Sequence, residues 1–71
     1  MIEIKRWDTG GVIHSGDFAD LKECLEDGVK KGVSFFYAKL NYAELNHAKL
    51  NHAKLNYAEL NHAKLNHAKL T

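Results

Sequence analysis

Alanine stands at every fifth position from Ala38 to Ala68, and leucine at every fifth from Leu40 to Leu70. The text between them runs AKLNY AELNH AKLNH, twice without a difference, and then AKLT. A period of five is a severe constraint. On an α-helix each residue turns about 100°, so a five-residue step leaves successive leucines ~140° apart and no face is apolar. A heptad coiled coil fails as well, because the spacing never alternates between three and four. Low-complexity polar tracts commonly stay unfolded, but they have no need of Ala and Leu held at fixed i and i+2 places. In an extended segment those two places point to one side. For every Ala–Leu pair to reach a common core, the chain must turn a corner once per five residues. That describes a narrow solenoid, filled in layers by small Ala and large Leu.

The residues before the repeat carry different signals. Ile2 and Ile4 alternate with Glu3 and Lys5, and Asp8-Thr9-Gly10-Gly11 separates them from Val12-Ile13. This predicts a β-hairpin over residues 2–14, with strands Ile2–Trp7 and Val12–His14 and the two glycines in positive-φ places. Trp7 is expected to lay its ring over whatever the hairpin covers. A helix is expected over 17–31, with Asp17 as N-cap, Ser15 as the alternative, and Asp20 and Glu23 in its early turns. Phe18, Leu21, Leu25 and Val29 form its apolar stripe with Cys24 beside it, and Gly32 ends it. Gly28 weakens the helix interior by up to ~1 kcal/mol and allows another backbone to come close. Residues 1–32 thus read as a cap and residues 33–71 as the repeat unit of a single domain.

A chain of 71 residues lies at the small end of what folds alone, where self-association or a metal often adds support. One cysteine cannot form an internal disulfide, no apolar run has the length of a membrane span, and the start does not read as a signal peptide. A cytoplasmic protein without a membrane partner is expected. The net charge of +1 hides a split. Residues 1–37 carry five basic and seven acidic side chains, whereas residues 38–71 carry five lysines against Glu44 and Glu59. Blocks of opposite sign can favour head-to-tail contact.

The Ala-x-Leu units resemble the pentapeptide-repeat family, whose unit is written A-[D/N]-L-x-x. Val33-Ser34-Phe35-Phe36-Tyr37 is similar to a first, degenerate unit. The resemblance implies a mainly β fold: a right-handed quadrilateral β-helix of twenty residues per coil, here about two coils. Its N-terminal cap would be the hairpin and the one α-helix. The inward central column would be Phe35, Leu40, Leu45, Leu50, Leu55, Leu60, Leu65 and Leu70, beside Val33 and the alanines. The family places Asp or Asn before leucine, whereas here Lys or Glu stands there and Asn follows leucine. The charges give a separate check on the coil. A fifteen-residue coil would stack Lys39 on Lys54, Glu44 on Glu59 and Lys49 on Lys64. A twenty-residue coil stacks Lys39 on Glu59 and Glu44 on Lys64, leaving only Lys49 on Lys69 mismatched, and opposite charges favour strand pairing. The same register lays Asn41 over Asn61 and Asn46 over Asn66 as amide ladders. It also lays Tyr37 over Tyr57, Tyr42 over His62, and His47 over His67.

No paired acids, nucleophile–base set or phosphate loop occurs, so no catalytic residues and no cofactor are expected. Cys24 reads as a small buried residue, and His14 as structural. His47 and His67 are the only metal candidates, and weak ones, because the outward faces of a solenoid diverge where ligands must converge. Nucleic acid is not an expected partner, since the repeats lack arginine and their glutamates offset lysines. The expected role is that of a structural or interaction protein that self-associates through the open C-terminal end of its solenoid. The residues expected there are Leu55, Leu60, Leu65, Leu70, Lys69 and Thr71, in a homodimer. A head-to-tail filament is the variant. The alternative is a small binding module for a host or phage protein, using the outward Tyr/His/Lys face.

Overall fold

A computed structural model of the chain describes residues 1–70. The fold is rich in β pairing and carries one helix. Strands β1 (Ile2–Lys5) and β2 (Val12–Gly16) pair antiparallel, with Ile2 opposite Gly16 and Ile4 opposite His14. The register shifts between Ile4 and Lys5. β1 is shorter than the expected Ile2–Trp7, because Arg6 and Trp7 turn to the repeats. Arg6 bridges Ala38, and the Trp7 N–H donates to the Tyr37 carbonyl at 2.9 Å. β2 in turn runs past His14 to Gly16. Of the two loop glycines only Gly10 is left-handed, at φ 80°.

Helix α1 (Leu21–Lys30) starts later than expected. Its N-cap is Asp20, whose Oδ1 accepts from the Glu23 N–H at 2.9 Å, and not Asp17. The cause lies upstream, where β2 extends to Gly16 and the Phe18 ring lies against that glycine. Residues 17–20 are thereby held out of the helix, so Phe18 joins the core from the turn and not from the helical stripe. The other end is a Schellman motif. Val33 N–H reaches the Gly28 carbonyl at 2.9 Å and Gly32 N–H the Val29 carbonyl at 3.1 Å, with Gly32 at φ 78°. Gly28 makes room for a side chain and not for a backbone. A Cβ there would lie 2.8 Å from Phe35 Cε2 and closer still to Cζ.

Along the repeats, parallel bridges join Ser34 to Lys54, Lys39 to Glu59, Glu44 to Lys64 and Lys49 to Lys69. The text repeats every fifteen residues, but the chain pairs with itself every twenty, as the charge register requires. Residues 33–52 form a first layer and residues 53–70 a second beneath it. Each unit closes a tight turn in which the alanine N–H donates to the central residue three back, at 3.0–3.2 Å from Ala38 to Ala68. Between them stands a residue at positive φ: Tyr37, Tyr42, His47, His52, Tyr57, His62 and His67, all at 60–66°. Positive φ in the third place alone is the type II pattern, which normally selects Gly or Asn. Histidine is enriched in that region but tyrosine is not, so each tyrosine corner costs on the order of 1 kcal/mol.

The core runs from cap to repeats. Ile4, Cys24, Leu25, Phe35, Ala38, Leu40, Ala43, Leu45, Ala48 and Leu50 are buried. Leu55, Leu60 and Leu65 are partly buried and pack against them. Leu70, expected in the same column, is 55% exposed, because no described residue lies below it.

Candidate functional site

The two edges of the layered repeats are in different states. On the upper edge the cap stands in for a preceding layer. The Lys39 N–H donates to the Lys5 carbonyl at 2.7 Å, and the Lys49 N–H to Glu26 Oε2 at 2.7 Å. The Tyr37 carbonyl accepts from Trp7, and the Asn46 carbonyl from Lys22 Nζ at 3.4 Å. Between the layers, Glu59, Lys64 and Lys69 donate N–H groups back to the Ala38, Ala43 and Ala48 carbonyls, and Phe35, Tyr37, Leu40, Tyr42, Leu45 and His47 donate theirs to carbonyls nineteen residues ahead. Their counterparts one layer down are the N–H groups of Leu55, Tyr57, Leu60, His62, Leu65 and His67. These have no backbone acceptor among the described residues, and neither do the Ala58, Ala63 and Ala68 carbonyls have a donor. The lower edge therefore presents strand hydrogen-bonding groups around a floor of half-buried leucines, a ready template for pairing. Of the residues expected at this edge, Leu55, Leu60 and Leu65 form the floor, and Lys69 and Leu70 lie on the last side. Thr71 lies outside the described residues.

Outward columns follow the twenty-residue register. Tyr37 stacks on Tyr57 at 5.2 Å, Tyr42 on His62 at 5.0 Å and His47 on His67 at 5.1 Å, with rings 10–14° from parallel. Such pairs contribute about 0.5–1.5 kcal/mol beyond burial, which offsets much of the left-handed backbone beneath them. The first column is closed from above: the Arg6 guanidinium lies 4.8 Å from the Tyr37 ring centre. Trp7 sits beside it, and its indole N–H donates to the Tyr57 carbonyl at 2.6 Å, tying the cap to the second layer.

The asparagines act differently from the expected amide ladders. Asn41 Oδ1 accepts from the Asn61 backbone N–H and Asn46 Oδ1 from that of Asn66, each at 3.0 Å. A side-chain oxygen facing a backbone donor satisfies a group that the corner would otherwise leave open, which an amide–amide pair would not. The expected charge stacking is present in the bridges, with weak ion pairs. Lys64 Nζ is 4.0 Å from Glu44, both largely exposed, while Glu59 accepts from Asn41 Nδ2 at 3.2 Å.

Among the described residues no three His, Cys, Asp or Glu side chains converge as metal ligands would. His14 Nε2 lies 2.9 Å from Asp27 Oδ2, and Lys31 Nζ is 3.1 Å from the same oxygen. The His14 hydrogen bond, followed by that of Lys31, holds the Asp27 carboxyl below its usual range. Cys24 is fully buried, and burial pushes its thiol up, away from the reactive thiolate. An open cleft of about 320 Å³ between α1 and the repeats is lined by Glu26, Val29, Lys30, Lys49 and Asn51. No helix among the described residues is long and apolar enough to cross a membrane.

Two functional features had no clear signal in the sequence. The left-handed corners carry Tyr or His where a glycine would have announced them. Glu26 closes a backbone group twenty-three residues away, which only the docked helix reveals. The comparisons with known proteins bear on the repeats. The family model for pentapeptide repeats matches residues 32–71, in eight copies. The curated proteins and the solved structures compared with the chain gave no match. With more than half of its length in that match, the chain belongs to the pentapeptide-repeat family.

Proposed function

We propose that this chain is a non-enzymatic structural or interaction protein. In this reading residues 33–71 form a right-handed, four-sided β-helix of about two coils, and residues 1–32 cap its upper end. Four bridges, one per five-residue side at a twenty-residue offset, support the four-sided form. The lower edge, through Leu55, Leu60, Leu65, Leu70 and Lys69, is the surface for self-association. The observation that carries this is the contrast between the edges: the cap supplies Lys5, Trp7, Lys22 and Glu26 to part of the upper edge and leaves Leu40, Leu45 and Leu50 buried, whereas no described residue covers the lower edge. That contrast also speaks against a head-to-tail filament, which would need the upper edge of one copy free to meet the lower edge of the next. Sedimentation velocity on the purified 71-residue chain tests the reading. A dimer supports it, and a monomer throughout the micromolar range sinks it.

Tyr42 and Tyr57, 71% and 69% exposed, favour a second reading, in which the outward Tyr/His/Lys face binds a host or phage protein. Affinity capture with wild-type chain and a Tyr42→Ala, Tyr57→Ala variant separates the two. A binder lost only with the variant would support this second role.

A further inference from the structure

We propose that the occupant of the lower edge is a second copy of the chain in two-fold contact, and that the rim lysines, Lys69 above all, hold this contact loose by opposing it. The proposal rests on the four-sided reading above. Each side of the lower layer offers an alanine C=O and a leucine N–H flanking one outward residue, as Ala58 and Leu60 flank Glu59. Such a pair closes two hydrogen bonds with its like when the strands run antiparallel. Antiparallel is the direction that results when one copy is turned over onto the other, so the edge is complementary to itself and a two-fold contact closes.

The outward residues on the four lower sides are, in order, Lys54, Glu59, Lys64 and Lys69. Turning a copy over reverses that order, and a square admits four such superpositions. With the axis through the Lys54 and Lys64 sides, those lysines meet their own copies, and each Glu59 meets a Lys69. With the axis through the Glu59 and Lys69 sides, every facing pair is of like sign. With the axis through a pair of corners, either Lys54 meets Glu59 while Lys64 meets Lys69, or Glu59 meets Lys64 while Lys54 meets Lys69. Every arrangement leaves at least half of its facing pairs as lysine on lysine, and like charges on adjacent strands oppose pairing. Lys54→Glu or Lys64→Glu would each free one corner arrangement, and Lys69 is the single position whose reversal frees both. With glutamate there the rim alternates in sign, and both corner arrangements become complementary on all four sides.

The same residue carries a conflict inside the molecule, because Lys49 bridges Lys69. Lys49→Glu relieves that internal stacking and leaves the rim unchanged, which makes it the control for Lys69→Glu. The test is the dimer dissociation constant of wild type, Lys49→Glu and Lys69→Glu by sedimentation equilibrium, at about 20 and about 300 mM salt. The expected result is a dimer about tenfold tighter in Lys69→Glu and unchanged in Lys49→Glu. Added salt should tighten the wild-type dimer and loosen that of Lys69→Glu. A dimer equally strong in Lys69→Glu and wild type, or one tightened as much by Lys49→Glu, overturns the rim assignment and leaves self-association standing. Monomers in all three proteins up to about 100 μM overturn the self-association reading with it.

Discussion

Residues 38–52 and 53–67 have the same fifteen-residue text, yet they lie in different surroundings. In the first block Leu40, Leu45 and Leu50 are 0–1% exposed. In the second, Leu55, Leu60 and Leu65 are only partly buried, and the alanines beside them follow suit. Nothing in the pentapeptide distinguishes the two. The first block has the cap above and a layer below, whereas the second has a layer above and no described residue below. Burial in a repeat protein belongs to the neighbour as much as to the unit. Function follows the same line, since the surface open to a partner is set by which layer lacks one.

The strongest way to break this comparison is to cut the same side chain in both blocks. Leu40→Ala should cost about 3–4 kcal/mol, as deletion of fully buried leucines does, and Leu60→Ala in the isolated chain about 1–2. Urea denaturation of the two variants reads the difference. Equal losses would mean that the lower layer is already covered in solution. A dimer is the obvious cover, so the gap should narrow as protein concentration rises.

A smaller effect tests what closes the upper edge. Glu26 supplies a carboxylate oxygen to the Lys49 N–H where a preceding layer would supply a carbonyl. Glu26→Ala should cost about 1 kcal/mol and speed hydrogen exchange at Lys49, while exchange at Lys39, held by the Lys5 carbonyl, stays slow. If both amides exchange faster together, the cap moves as one body and Glu26 is not a local closure.

These two tests also show which parts were legible in the sequence. The Ala and Leu columns, the twenty-residue register and the stacked rings followed from spacing and charge, because a strict repeat forces identical solutions on each side. The helix start was misplaced by the same kind of local reasoning. Asp17 and Asp20 are both competent caps, and the choice fell to Phe18 packing on Gly16, a contact outside the cap motif. Nothing in the sequence marks Glu26, since its partner, the Lys49 N–H, is remote along the chain. The asparagines were placed in the right columns but given the wrong partners, as side-chain spacing says nothing about which backbone donors a corner leaves open.

Acid should act on the cap before the repeats. Asp27 joins β2 to α1 through His14, and its folded carboxyl is more acidic than an unfolded one. Such a group contributes stability above about pH 4, lost as pH falls through the folded value. Thermal melts between neutral pH and pH 3 should therefore lose stability at the acid end, and Asp27→Asn should flatten part of that limb. An unchanged limb would assign the loss to other carboxylates, with Asp8, held low by Arg6, the next to replace.

The finest comparison lies at the corners. His62 and His52 share a left-handed backbone, at φ 62° and 63°. His62 stacks on Tyr42. The residue twenty before His52 is Gly32, itself at φ 78°, so no ring lies above it. The left-handed residue that follows the helix C-cap thus stands at the head of this column, and the column over His52 starts without an aromatic. Glycine at either position relieves the backbone and costs some unfolded-chain entropy, with a net effect within about 0.5 kcal/mol. Only at His62 does it also remove a stacked pair, for a further loss of about 0.5–1.5 kcal/mol. His52→Gly should therefore be near neutral or slightly stabilising, and His62→Gly destabilising by about 1 kcal/mol. The difference between them measures the stack with the backbone contribution cancelled. Equal effects would mean that the rings merely occupy the corners, and the left-handed turns would then be held by the core leucines alone.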